Sequence, residues 1–235
     1  MTEGSVRPAD NPFASRRIDG LDFRLNDREW KVLIDDLEAR GGRGAVIGTH
    51  GSGKTTLLEG LACRLAGNVV WVRLNAESDR PAVTVLEALN NEIGPGHTVL
   101  IDGAEQLAPW SWWRIRRRLR AAGTIVITSH RPGRLPTLYE CATDPELLKD
   151  LVAELAPEVV ETVDLEALFH RQQGNIRSCL RELYDRYAGT GTGKVPEFGS
   201  IPSACPPTSG SCWHPRRGQY RGPSPRSRSR HRGHP

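Results

Sequence analysis

The chain has 235 residues and a net charge of +4, and its length suits one domain of ordinary size with an appendage. No apolar run approaches the roughly 20 residues of a membrane-spanning helix, and the polar first residues lack the apolar segment of a signal peptide. We therefore expect a cytoplasmic protein without a membrane span. The five cysteines include no C-x-x-C pair, which argues against a zinc site or a disulfide framework.

Charge is distributed unevenly along the chain. Residues 190–235 contain Lys194 and seven arginines but only one acidic residue, Glu197, so this segment carries +7 and the preceding residues carry −3 of the total of +4. The segment is rich in Gly, Pro and Ser and cannot bury enough apolar surface to offset the entropy of ordering. It is predicted to be a disordered basic tail.

The first predicted elements are an extended linker and a helix. Residues 1–20 show no helical or strand periodicity and are predicted to be an extended N-terminal linker. Asn26 and Glu29 then have the spacing of a capping box, which predicts a helix that begins at Asn26 and ends at Gly41 and Gly42.

Short apolar strands alternate with amphipathic helices over residues 21–156. The predicted strands cover residues 44–48, 69–74, 98–102 and 124–128, with a short fifth strand within 135–141. The predicted helices cover residues 54–66, 81–93 and 109–122, and another helix begins at 143–146. Strands that are joined by helices and are apolar throughout are typical of a parallel sheet buried on both faces. The predicted fold class is therefore α/β, with a five-stranded parallel sheet in a three-layer arrangement.

The C-terminal part of the ordered chain is predicted to be helical. From Asp164 onward, two helices that break at Gly174 are predicted to pack as a hairpin. Cys63 and Cys179 fall within apolar helical patterns and are predicted to be small core residues.

A phosphate-binding motif lies between the first predicted strand and the next helix, where it matches G-x-x-x-x-G-K-[ST] in full. It consists of Gly48, Thr49, His50, Gly51, Ser52, Gly53, Lys54 and Thr55, followed by Thr56. Glycine lets backbone N–H groups converge on phosphate oxygens, and the positive end of the helix dipole faces the anion. Lys54 is predicted to contact the β- and γ-phosphates, and the Thr55 hydroxyl to bind Mg²⁺. We expect ATP with Mg²⁺, because no guanine-specific Asn-Lys-x-Asp motif is present.

Two acidic residues follow the third predicted strand. Asp102 ends the strand, and ligands bind at this end of a parallel sheet, so its carboxylate is predicted to hold Mg²⁺ directly or through a water. Glu105 is the best-placed group to orient or deprotonate an attacking water. A helix cap at Asp102 and a solvated loop acid at Glu105 are the alternative interpretations.

A third polar cluster ends the fourth predicted strand at the same edge of the sheet. It consists of Thr128, Ser129 and His130. A polar group at this place can reach the γ-phosphate, and His130 could donate a hydrogen bond to it. The alternative is an ordinary loop start without ligand contact.

In the order of these motifs the chain resembles the P-loop NTPases with an additional strand between the two Walker strands, and within them the AAA+ and STAND-type ATPases. The resemblance extends from about Asn11 to Tyr187. It implies the strand order 5-1-4-3-2, with ATP at the C-terminal edge of the sheet. It also implies that Asp102 is the Walker B acid, that residues 128–130 form the sensor-1 region, and that residues 157–189 form a small helical lid.

Two weaker matches extend this resemblance. The segment 174–177 begins the last predicted helix as AAA+ proteins begin the helix with their sensor-2 arginine, so Arg177 would contact the γ-phosphate. Equally, Gly174 can end one helix and Asn175 cap the next. The segment 11–13 resembles the linker that lies beside adenine in secretion and transposition-helper ATPases.

The chain also departs from the AAA+ pattern, since Gly103 rather than a glutamate follows Asp102. Either Glu105 compensates or hydrolysis is slow. Arg131 and Arg134 are the candidates for an arginine finger. The favoured function is a regulatory or partner-remodelling ATPase that acts on a protein partner or self-associates. A nucleotide-gated scaffold with little turnover and a small-molecule kinase are the alternatives.

The predicted helix at 109–122 is strongly basic. Its apolar side chains share one face that is predicted to pack on the sheet, and they are Trp112, Ile115, Leu119 and Ala122. Trp113 points away from this face. The basic segment Arg114–Arg120 and the tail are possible nucleic-acid contacts, and a solvated face and a functionless extension are the alternatives.

Overall fold

The computed structural model describes residues 10–25, 29–77, 80–89 and 93–189, and these form an α/β fold. The strands are β1 (Arg43–Gly48), β2 (Asn68–Arg73), β3 (His97–Asp102), β4 (Thr124–Ser129) and β5 (Thr137–Cys141). The helices are α1 (Ser15–Ile18), α2 (Trp30–Ala39), α3 (Lys54–Ala62), α4 (Pro81–Ala88), α5 (Pro109–Arg118), α6 (Pro145–Leu155), α7 (Pro157–Thr162), α8 (Leu165–Arg171) and α9 (Ile176–Gly189). Single 3₁₀ turns lie at Ala104–Gln106 and Leu119–Ala121.

The sheet is parallel throughout and has the strand order β2-β3-β4-β1-β5. Read from the other edge, this is the order 5-1-4-3-2 that the resemblance implies. Ile47 of β1 pairs with Ser129 of β4, and Arg73 of β2 pairs with Asp102 of β3. Because neighbouring strands run in the same direction, the C-terminal ends of β1, β3 and β4 lie along one edge of the sheet.

Helices cover both faces of the sheet, because the interior strands are apolar on both sides. Along β1, Ala45 and Ile47 face the hydrophobic cluster that includes α4 and α5, whereas Val46 faces the cluster that includes α2 and α3. In β3, Leu100 faces α2 and α3, and both of its neighbours face the opposite cluster. The predicted α/β class with a five-stranded parallel sheet is confirmed.

A third hydrophobic cluster joins the C-terminal helices. Helix α6 packs with α7, α8 and α9 in this cluster. This cluster contains more helices than the two of the predicted hairpin, because α6 and α7 also contribute apolar side chains to it. The predicted boundary between residues 156 and 157 separates α6 from the helices that it contacts, and the role of these helices as a lid stays a prediction.

The N-terminal segment is also part of this cluster. Asn11 and Phe13 are buried, the Asn11 side-chain amide donates to the Tyr184 carbonyl at 2.9 Å, and the Phe13 ring lies edge-on to Tyr187. A turn and α1 follow. Residues 10–20 therefore differ from the predicted extended linker, because an aromatic anchor buried against α9 orders a segment without periodicity. Contact of this segment with adenine stays a prediction.

Helix α2 differs from its prediction at the start and agrees at the end. It begins at Trp30, while Asn26 lies outside the described residues and Glu29 forms no side-chain capping hydrogen bond. It ends at Ala39, two residues before the predicted pair Gly41 and Gly42, whose φ angles of 66° and 72° suit glycine.

Helix α3 ends at Ala62, four residues before its predicted end at 66. The N–H groups of Arg64 and Leu65 both bond the Leu61 carbonyl, which closes the helix in a tight turn. Cys63 therefore lies at an exposed helix end, contrary to its predicted core position, whereas Cys179 is buried as predicted.

Helix α4 ends at Ala88, before its predicted end at 93. Residues 90–92 and the predicted basic tail at 190–235 lie outside the described residues. None of the described helices combines the length and the apolar character that crossing a membrane requires.

Replacing Phe13 by alanine is expected to lower the free energy of unfolding by about 3–5 kcal/mol, because the change leaves a cavity in the cluster beneath α9. Arg16→Ala, at an exposed position of α1, is the matched control and should change stability by no more than about 0.5 kcal/mol. Urea unfolding followed by circular dichroism measures both. Equal stability of the two variants would show that Phe13 does not anchor the segment.

Candidate functional site

The phosphate-binding motif forms the loop that leads from β1 into α3. Lys54 turns back over the loop, and its Nζ donates to the carbonyl oxygens of Gly48 at 2.9 Å and Thr49 at 2.5 Å. The Ser52 hydroxyl donates to the same Thr49 carbonyl at 2.9 Å. The loop is therefore closed on itself around a lysine ammonium group.

Burial lowers the pKa of Lys54, while the nearby carboxylates of Glu105 and Asp102 oppose this shift and Arg177 adds to it. A partly desolvated cation attracts anions more strongly than a solvated one, because less solvent screens its field. The loop thus presents a positive centre at the C-terminal edge of the sheet.

Asp102 links the loop to two strands of the sheet. Its Oδ2 accepts a hydrogen bond from the Thr55 hydroxyl at 2.9 Å, and its Oδ1 accepts one from the Thr128 hydroxyl at 2.7 Å. The Thr128 oxygen in turn accepts from the Gly103 N–H at 2.7 Å. With both oxygens engaged, the carboxylate is held in one orientation beside Thr55.

The backbone at position 103 explains why a glycine, and not the glutamate of the AAA+ pattern, follows Asp102. Its φ is +85°, and a Cβ there would lie 2.3 Å from the Leu74 carbonyl oxygen, so only glycine suits this position. The chain turns at Gly103 into a 3₁₀ turn that carries Glu105. A carboxylate displaced along the sequence is thereby brought into the electrostatic neighbourhood of Lys54.

Glu105 faces a pair of histidines. Its Oε1 lies 3.4 Å from Nε2 of His130, and the ring of His130 packs edge-on to His50 with centroids 4.0 Å apart. Its Oε2 is buried and has no hydrogen-bond partner among the described residues. Burial lowers the pKa of His130, which the Glu105 carboxylate opposes and which Lys54 and His50 reinforce. This arrangement keeps a neutral imidazole beside an acid with one free oxygen.

Arg134 is held within its own chain. Its guanidinium donates to the Leu107 carbonyl and lies over the Trp112 ring, 5.6 Å from the centroid. Burial lowers the pKa of Arg134, and the Glu105 carboxylate opposes the shift. An arginine finger has to reach a neighbouring molecule, so this geometry disfavours Arg134 in that role and leaves the exposed Arg131.

The start of α9 lies against the loop Gly48–Thr55. A Cβ on Gly51 would lie 1.9 Å from the Asn175 side-chain oxygen and 3.3 Å from the Arg177 backbone N. The same Asn175 oxygen accepts from the Ser178 N–H at 3.0 Å, which caps the helix. Helix α8 ends at Arg171, and Gln173 (φ 52°) and Gly174 (φ 76°) then turn the chain toward α9. The predicted cap at Asn175 is thus confirmed, and the position of this segment also places Arg177 near Lys54.

The structure brings most of the predicted site residues together at this edge. These are the loop Gly48–Thr55, Asp102, Glu105, Thr128, His130 and the start of α9 with Arg177. Arg177 is exposed, and Thr56 follows in the first turn of α3. The sequence did not predict the contact of Asn175 with the loop. An asparagine before a helix is sufficiently explained by capping, so nothing in the sequence indicated a second contact.

The donor set at Thr55 and Asp102 consists of hard oxygens, which suit Mg²⁺. No group of three or more His, Cys, Asp or Glu residues capable of holding a metal occurs in the described part of the chain. Mg²⁺ at nucleotide sites typically uses one or two protein oxygens together with waters and substrate phosphates, so two protein ligands are sufficient. The residues present therefore fit a magnesium–phosphate complex better than an all-protein metal cage.

Comparison of the chain with protein-family models and with curated proteins gives no match.

Gly51→Ala is expected to destabilise the fold more than Gly41→Ala. The two glycines have φ angles of +73° and +66°, but a Cβ at Gly41 meets nothing within 4 Å, whereas one at Gly51 collides with Asn175. Gly41→Ala should cost about 1 kcal/mol from backbone strain alone. Urea unfolding of both variants gives the difference that the collision causes.

The collision can be isolated by a double-mutant cycle. Asn175→Ala removes the helix cap and should cost about 1 kcal/mol on its own. It also removes the atoms that collide with the new methyl group, so the Gly51→Ala/Asn175→Ala protein should be less destabilised than the sum of the single changes. Additive free energies would show that Asn175 does not lie over Gly51.

The pKa of His130 is expected to lie below 6.5 and to respond to its two charged neighbours in opposite directions. Glu105→Gln removes the charge that raises the pKa and should lower it further. Lys54→Ala removes a charge that lowers the pKa and should raise it. Titration of the histidine ring signals by NMR measures all three values, with His170 as an exposed reference ring. A pKa that moves the same way in both variants would contradict this geometry.

Proposed function

We propose that this protein binds ATP with Mg²⁺ as a P-loop NTPase of AAA+ or STAND type and hydrolyses it in a regulatory or partner-remodelling role. The observation that carries this proposal is the hydrogen-bonded connection from Thr55 through Asp102 to Thr128, beside the lysine-centred loop. It joins the residue types of a phosphate loop, a Walker B acid and a sensor position at one sheet edge.

The loop supports phosphate binding by its charge and its backbone. Gly51 and Gly53 have positive φ angles, a backbone form in which N–H groups can converge on one anion. Helix α3 begins at Lys54 directly after the loop, so the positive end of its dipole points to the same place. The Lys54 ammonium group would exchange its two carbonyl contacts for the β- and γ-phosphate oxygens.

Thr55 and Asp102 are the residues that would hold the magnesium ion. When bound, Mg²⁺ neutralises charge on the phosphate oxygens. Thr128 is a positioning residue, because its hydroxyl donates to Oδ1 of Asp102 and leaves Oδ2 directed at Thr55. Gly103 assists by donating its N–H to the Thr128 oxygen.

Glu105 would act as the group that orients and deprotonates the attacking water. Its Oε2 is buried without a partner among the described residues, so a water that enters this edge with the nucleotide would be the first hydrogen-bond donor to this atom. His130 contacts the other carboxylate oxygen and limits the rotation of the group. Both residues follow strands whose ends are neighbours in the sheet.

The regulatory role is supported by the contact between the loop and α9. Asn175 and Arg177 lie over Gly51, so a change in the contents of the loop acts directly on the first turn of α9. This helix belongs to the C-terminal cluster, which also includes α6, α7 and α8. Nucleotide-dependent movement of these helices would change the surface that a partner meets.

One of the alternatives has an observation in its favour. The contact of Glu105 with His130 occupies one of its two oxygens, which favours a nucleotide-gated scaffold with slow turnover. The small-molecule kinase has less support, because Arg134, which follows β4, is engaged with Leu107 and Trp112 of its own chain.

Nucleotide binding is tested by calorimetric titration of ATP in the presence of Mg²⁺. Lys54→Ala should weaken ATP binding about 10- to 100-fold, because it removes a charge-assisted contact with the phosphates. Lys149→Ala, at an exposed position of α6, should leave the affinity unchanged. Equal affinity of the two variants would mean that the loop does not bind ATP.

Turnover is tested by steady-state phosphate release. Glu105→Gln should lower kcat about 100- to 10,000-fold while the ATP affinity stays within about threefold, because it removes proton transfer and keeps the shape. Glu146→Gln, exposed on α6, is the control. ATP binding that depends on Lys54, without measurable turnover in the unmodified protein, would favour the scaffold.

A further inference from the structure

Helix α5 has a solvent-facing surface formed by Trp110, Trp113, Arg114 and Arg117, which we call the tryptophan–arginine face. Trp110 is 65% exposed and Trp113 is 55% exposed. Of the large hydrophobic side chains among the described residues, only four are exposed, and these indoles are the two aromatic ones. Exposed tryptophan pairs on a folded surface indicate a contact site, because each ring leaves a large apolar area in water.

The orientation of this face follows from the burial of the opposite side of α5. Trp112, Ile115 and Leu119 are buried in the cluster on the sheet, as the sequence predicts. At 100° per residue, the two exposed indoles and their arginines lie on the far side of the helix from these three residues. The face therefore points to solvent as a consequence of how α5 packs.

Each exposed indole is paired with an arginine one turn further along the helix. The Arg114 guanidinium lies 5.4 Å from the ring centroid of Trp110, and the Arg117 guanidinium lies 5.2 Å from that of Trp113. These i,i+4 cation–π contacts restrain the rings against the helix. Each guanidinium lies over one side of its indole, so the face presents planar cations together with the opposite sides of the rings.

The charge around this face is of one sign. The segment 108–123 contains five arginines and no acidic residue, and they are Arg114, Arg116, Arg117, Arg118 and Arg120. None of these five side chains forms an ion pair with a carboxylate of the described residues. Residues 1–189 together carry a net charge of −3. Since residues 108–123 carry +5 of this, the rest of residues 1–189 carries −8. Positive charge is therefore concentrated on one helix of an otherwise acidic body.

We propose that the tryptophan–arginine face binds single-stranded nucleic acid. Phosphates of the strand contact the arginines, and unpaired bases stack on Trp110 and Trp113. Charge complementarity selects a polyanion, and the exposed rings select one with accessible flat groups. Bases within a duplex are already stacked on each other, so a duplex offers the indoles no such surface. This inference does not depend on the proposed nucleotide site.

The test uses the full chain and a fluorescently labelled oligothymidylate of about 20 nucleotides, which covers the usual site sizes for single-stranded binding. Binding is followed by anisotropy over a series of salt concentrations. The variants are Trp110→Leu/Trp113→Leu and Arg114→Gln/Arg117→Gln, with Arg16→Gln/Arg181→Gln at exposed positions elsewhere as the control. The basic residues at 190–235 are the same in every protein, so their contribution is constant.

The tryptophan pair and the arginine pair should produce different losses. Trp110→Leu/Trp113→Leu should weaken binding at least about tenfold without changing the salt dependence, because it removes stacking and keeps every charge. Arg114→Gln/Arg117→Gln should weaken binding and reduce the slope of log K against log salt by about 1.4, as expected for two lost phosphate contacts. The control should bind like the unmodified protein.

Three outcomes would overturn the proposal. Unchanged affinity in the tryptophan variant would place binding outside this face. Equal affinity for a duplex of the same length would mean that charge alone is recognised. Equal competition by polyglutamate would assign the face to acidic proteins rather than to nucleic acid.

Discussion

The Asp102 carboxylate receives hydroxyl hydrogen bonds from two directions, from Thr55 at the start of α3 and from Thr128 at the end of β4. This arrangement requires β3 to lie beside β4 and β4 beside β1, with all three strands parallel and their ends level. A shift of one residue in β3 would turn the carboxylate to the other face of the sheet. The position of the Asp102 carboxylate is therefore a direct result of sheet register, and the hydrogen bonds from the two threonines hold it in one orientation.

Around this centre, partly buried charged groups are stabilised by neighbouring groups of opposite charge more than by contact with solvent. Lys54 is partly desolvated where it lies against the loop, which lowers its pKa. The nearby Glu105 carboxylate opposes this shift because it stabilises the charged ammonium group. Glu105 reaches this position because Gly103 turns the chain where no other residue suits the backbone. Such close and partly desolvated charges are characteristic of sites that bind or transform charged ligands. The same closeness makes the protonation of His130 sensitive to each neighbour.

The C-terminal helices contact the loop where Asn175 lies over Gly51. Asn175 is also the cap of α9, so displacement of its side chain affects both the loop and the stability of the helix. At the other end of α9, Phe13 packs against Tyr187 and ties the N-terminal segment to the same cluster. The helix thus connects the candidate site with the N-terminal segment, while α5 offers a separate, basic surface that faces solvent.

The sequence by itself determined the five strands, their α/β class and the position of the Gly48–Thr55 loop between a strand and a helix, because these depend on local periodicity and on glycine. It also determined which face of α5 is buried. Only the tertiary structure decided that α6 joins the C-terminal cluster, that Phe13 anchors the N-terminus and that Asn175 covers Gly51. The contacts of Phe13 and Asn175 join residues far apart in the chain, and the geometry of all three depends on side-chain packing, which leaves no periodic signal in the sequence.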